Sequence, residues 1–140
     1  MRLNTEFLDR CIQTLAEALR ELATRDLEDL MHDMMRAACV KQFELILEQS
    51  NALLRKRLRP FFASNREIDC LTFKDVYRHS ARRGLMSVEE GERWMRYRDI
   101  RNQTAHEYGK AYAERAVQAL PAFLEDAKAL AAVLAEPFDD

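Results

Sequence analysis

The strongest constraint on this chain is an apolar series that starts near Leu27 and runs through Leu30, Met31, Met34, Ala38, Val40, Phe43, Leu47 and Leu54. Its steps are those of an amphipathic helix, and it ends at Pro60, where an ordinary helix cannot continue. A helix of roughly 30 residues is about 45 Å long. That exceeds what a small bundle needs, so the helix either kinks or projects to serve a dimer. Met31, Met34 and Met35 read as core methionines rather than as an adaptable binding face.

The other segments fit around this rod. Phe7, Cys11, Leu15, Ala18 and Leu22 recur at helical spacing between Leu3 and about Ala23, with Thr24-Arg25-Asp26 as the turn that follows. From Pro60 to Leu71 the pattern assigns no conformation. Thr72-Phe73-Lys74-Asp75 places an acid three residues after an N-cap and opens a short helix through Arg83, with Phe73, Val76, Tyr77 and Ala81 inward. Gly84 is its left-handed stop. Ser87-Val88-Glu89-Glu90 is a second capping box, and the helix it opens packs through Trp94 and Met95. An alanine-rich helix from Ala111 to Ala135 closes the chain, with Pro121 expected to kink it and Pro137 ending it. These segments predict a single all-α domain over residues 1–140. Its architecture is an antiparallel up-and-down helical bundle of four main helices and one shorter one.

Composition agrees: three glycines, three prolines, 48% hydrophobic and 33% charged residues suit packed helices and exclude disorder. The formal net charge of −2 excludes a general basic field for nucleic acid, so any RNA contact needs a local patch. The candidate runs from Lys74 to Arg101, although most of its arginines read as a solvated face. Cys11, Cys39 and Cys70 are odd in number and widely spaced, which points to reduced thiols and to neither disulfides nor zinc. No signal-peptide core or membrane-length apolar run is present, and a cytoplasmic protein with no membrane association is expected.

The chemistry gathers in one string, Arg101-Asn102-Gln103-Thr104-Ala105-His106-Glu107-Tyr108, at the end of the Ser87-capped helix. A guanidinium offers phosphate oxygens a planar fork, and an imidazole titrating near neutrality can take or give a proton. Those are the roles needed when a ribose 2′-hydroxyl attacks its adjacent phosphate, a reaction that requires no metal. If helical geometry persisted to His106, it and Arg101 would lie roughly 140° apart around the axis, able to border one cleft. The bland alternative is that these side chains cap helical carbonyls. Glu44 and Glu48, four apart on the long helix, share a face and either pair with arginines of the motif helix or are plain surface charge. They make no metal ligand set by themselves.

The string fits R-N-x-x-x-H-x-Y and, with Trp94 and Met95 ahead of it, resembles the HEPN superfamily, in particular HepT-like toxins once catalogued as nucleotidyltransferase substrate-binding proteins. That resemblance covers nearly the whole chain. It implies a homodimer in which two motif helices meet, and a metal-independent endoribonuclease with no cofactor. Arg101 and His106 would be catalytic, and Asn102 would orient substrate or imidazole. It also implies an MNT-type nucleotidyltransferase antitoxin as partner, which in some pairs transfers AMP to the motif tyrosine, here Tyr108. The older family name implies a different role, a non-catalytic substrate-binding subunit. Ala105 stands where members often have Ser, and Glu107 where Thr is frequent.

Overall fold

In the computed structural model, which describes residues 1–26, 28–103 and 110–139, the long series is one helix. It is named α2 (Leu30–Leu58, 29 residues) and starts where the Asp29 carboxylate accepts the Met31 amide. Before it lies α1 (Glu6–Thr24). After it come a 3-10 turn over Arg59–Phe61 and then a five-residue helix, α3 (Asn65–Asp69). The Ser64 hydroxyl caps α3 by accepting the Glu67 amide. This helix occupies the stretch to which the sequence assigned no conformation. It is too short to display a period, and only its cap could have announced it.

α4 (Phe73–Arg82) opens on the expected reciprocal box between Thr72 and Asp75. Gly84 follows at φ +76°, the backbone that favours glycine. α5 (Val88–Gln103) begins at the second box, in which Ser87 and Glu90 bond each other's amides. α6 (Lys110–Leu134) continues through Pro121 as one helix. The chain order is thus up-and-down. α1 and α2 are antiparallel, α5 returns along α2, and α6 returns along α5, filling the space between α1, α2 and α5.

The core follows from the apolar stripes. Leu8, Leu15, Phe43, Ile46, Leu54, Trp94, Leu120 and Phe123 are wholly excluded from solvent. Trp94 is therefore a packing residue, lying parallel to Tyr77 with ring centroids 5.5 Å apart and meeting Phe123 edge-on. The expectation that the α2 methionines are core holds only in part. Met35 packs on the core, but Met34 is 53% exposed and Leu30 73%. Among the described residues, no helix is long and apolar enough to cross a membrane.

Candidate functional site

The first half of α5 is locked before the motif begins. Gly91 faces α4, where a Cβ would make ordinary contact with the Tyr77 carbonyl oxygen at 3.6 Å. Two residues later Arg93 grips the buried Asp126 of α6 with two nitrogens, at 2.9 and 2.8 Å. The Tyr97 hydroxyl donates to the same carboxylate at 2.5 Å. Burial, with the Asp126 charge beside it, holds the Tyr97 phenol well above its usual range. This clasp fixes the rotation of α5 against α6 and so determines which face its last turn presents.

That last turn carries Arg101. Its Nε lies 3.0 Å from Oε2 of Glu44 on α2, and the Tyr112 hydroxyl of α6 donates to the same oxygen at 3.1 Å. Beside them Arg115 donates to Gln103 at 3.2 Å. Of the two alternatives for Glu44 and Glu48, pairing is the outcome for Glu44, while Glu48 is exposed surface. Tyr112 was not foreseen. Nothing local marks it, because its partner lies in another helix far away in sequence.

Asn102 is exposed and follows Arg101 in the last turn of α5. His106 and Tyr108 lie outside the described residues. The other cations of the Lys74–Arg101 stretch are largely committed within the fold. Lys74 pairs with Asp99 at 2.6 Å and Arg78 with Asp75 at 2.8 Å, while Arg98 lies over the Phe73 ring at 4.6 Å. The Asp75 carboxyl is held below its ordinary range, first by the Thr72 hydroxyl and then by Arg78. Among the described residues, no cluster of His, Cys, Asp and Glu could hold a metal ion.

A clasped helix that ends in Arg101 oriented by a carboxylate is thus the setting of the R-N-x-x-x-H-x-Y string. The family described as nucleotidyltransferase substrate binding protein like matches residues 3–136. The chain belongs to that family. Its relatives include a protein of Haemophilus influenzae named "Probable ribonuclease HepT", 28% identical over 116 residues that span 80% of this chain and 78% of the relative. A solved Haemophilus influenzae structure, HI0074, superposes with a TM-score of 0.83 at 26% identity, covering 95% of this chain and all of that one. It is described as having the fold of a substrate binding domain of a nucleotidyltransferase. Relatives of the chain thus carry two descriptions, a probable ribonuclease and the fold of a substrate binding domain of a nucleotidyltransferase.

Proposed function

We propose that this member of the family is a HepT-like toxin, a metal-independent endoribonuclease restrained by a partner nucleotidyltransferase. The observation that carries the reading is Arg101, set by Glu44 at the end of an anchored helix, five positions ahead of His106 in the motif string. A relative named a probable ribonuclease supports it.

In this reaction the 2′-oxygen bonds to the adjacent phosphorus as its proton passes to a base, and the bond to the 5′-oxygen breaks as that oxygen gains a proton. The products are a 2′,3′-cyclic phosphate and a 5′-hydroxyl. His106 supplies the proton transfer, Arg101 stabilises the charge growing on the phosphate oxygens, and Asn102 orients the strand or the imidazole. A homodimer that brings two motif helices together would give base and acid from two copies of His106, and would double the local positive charge. Transfer of AMP from ATP to the Tyr108 oxygen, with pyrophosphate leaving, would place bulk and negative charge at the cleft and repel a phosphate substrate.

The second reading is a non-catalytic substrate-binding subunit of a nucleotidyltransferase, favoured by the description of the solved relative. Expression of the chain alone beside His106→Ala, with growth and total RNA followed, separates the two. Arrest with RNA loss in the parent only is the expected result. Normal growth with intact RNA in both, and nucleotide binding by the purified protein, would favour the second. AMP on Tyr108 is checked by mass spectrometry after incubation with the transferase and ATP.

A further inference from the structure

At the other end of the bundle, about 20 Å along α2 from Glu44, lies a second concentration of cations. Arg57 near the end of α2 stands 4.4 Å from the centre of the Phe138 ring and 5.9 Å from that of Phe61. Arg83, just beyond α4, covers Phe61 at 4.3 Å. Phe61 is itself 42% exposed, an aromatic ring held at the surface between two guanidinium groups. Alongside, Lys56, Arg59, Pro60, Asn65, Asp69 and Phe138 line a pocket of about 330 Å³, and Arg66 is exposed on the neighbouring α3.

At this end the cations outnumber the acids and form no ion pair among the described residues. Lys74, Arg78, Arg93 and Arg101 each have a carboxylate partner. Lys56, Arg57, Arg59, Arg66 and Arg83 have none within ion-pair distance among the described residues. The nearby acids are Glu67, whose carboxylate accepts the Ala63 amide, with Asp69 and Asp139. In a chain of net charge −2, five cations without a carboxylate partner stand at one end, Arg59 donating to Asn65 and, at 2.7 Å, to the Phe62 carbonyl, and a bound polyanion relieves their mutual repulsion.

The geometry points to a single-stranded RNA anchoring subsite, which we propose is formed by Phe61, Arg57 and Arg83 with Lys56 and Arg59 beside them. A base stacks on the exposed Arg83 guanidinium that lies over the ring, and Arg57, Lys56 and Arg59 take the flanking phosphates. Single-stranded RNA is favoured over an acidic protein surface because a planar guanidinium seated on an aromatic ring, with further cations beside it, suits alternating bases and phosphates. The inference rests on the ribonuclease reading for the identity of the strand. It adds that a strand engaged at Arg101 is also held some 20 Å away, so that long strands bind better than short ones.

The test is binding of the whole protein to a fluorescent, fully 2′-O-methylated RNA 12-mer, which cannot be cleaved, followed by anisotropy across a range of salt. Phe61→Ala is expected to weaken binding about tenfold and Phe61→Trp to restore it. Arg57→Ala and Arg83→Ala should each reduce the slope of log affinity against log salt by about 0.7. Arg10→Ala, which removes an exposed charge on α1, should do neither. Binding by Phe61→Ala, Arg57→Ala and Arg83→Ala equal to the parent, or no binding by the parent, overturns the proposal. RNA binding unchanged but association with the nucleotidyltransferase lost would overturn it too, assigning this face to the protein partner. Cleavage of unmodified RNA is measured separately: its absence in a parent that binds through Phe61 removes the ribonuclease reading and leaves the subsite standing.

Discussion

Glu44 holds Arg101 and Tyr112 on one oxygen, so its removal acts on the orientation of the arginine more than on the stability of the fold. Both partners of the ion pair keep contact with water, and such pairs contribute at most about 1 kcal/mol. Glu44→Ala is expected to cost no more than that in chemical denaturation, while RNA cleavage falls about tenfold because Arg101 loses its setting. Asp126 behaves in the opposite way. It is buried, and its carboxylate accepts three hydrogen bonds, from Arg93 and Tyr97. Asp126→Asn should cost about 2–3 kcal/mol, the figure being held down because Arg93 remains partly in water. Thermal unfolding measures it. The thiols differ at the same scale: Cys11 and Cys39 are buried and Cys70 is exposed. Burial pushes the Cys39 thiol up to about 11. A thiol reagent at pH 8 should therefore modify Cys70 quickly and the other two only on unfolding.

At the scale of elements, the turn between α4 and α5 sets where the motif helix begins. Gly84→Ala puts a Cβ on a left-handed backbone and should destabilise by about 1–2 kcal/mol. Gly91→Ala meets only ordinary contacts at 3.6–3.7 Å and should leave stability unchanged or raise it by up to about 1 kcal/mol through helix propensity. Equilibrium unfolding of the two variants side by side checks the contrast. The same two glycines illustrate what the sequence could reveal. Gly84 and the boxes at Thr72 and Ser87 are local devices, written within four residues, and the helix boundaries they define were legible. The periods of α1, α2 and α6 were legible for the same reason. The exposure of Leu30 and Met34 was not, because an apolar stripe does not record which of its residues a neighbouring helix covers. Nor was the meeting of Glu44, Arg101 and Tyr112, which depends on how three helices are rotated and on no spacing within any one of them. Arg101 itself was legible through the motif, and Asn102 follows it in the same last turn of α5.

For the molecule as a whole, the buried acids of high pKa dictate its response to alkali. Burial raises Cys39, and it is the leading cause of the upward shifts at Tyr77 and Tyr97. A group whose folded pKa lies above its unfolded value contributes stability that is complete below the unfolded pKa and is lost as pH rises through the folded one. Stability should therefore start to fall near pH 9, where the unfolded thiol ionises, and fall more steeply above pH 10, where unfolded tyrosines do. Each group adds up to about 1.4 kcal/mol per pH unit. Urea midpoints between pH 7 and 11 test this, and Cys39→Ala should lessen the earliest part of the decline, to which Cys11, also raised by burial, contributes.

The carboxylate of Glu44 is also a fastening between parts of the chain. Arg101 lies just before the segment 104–109 and Tyr112 just after it, and both are tied to one oxygen of α2. The fold thus fixes the separation of the segment's two flanks from outside, so the entropy of bringing them together has already been supplied by the bundle. Glu44 therefore acts on the chain on both sides of that segment at once, through Arg101 ahead of it and Tyr112 behind it.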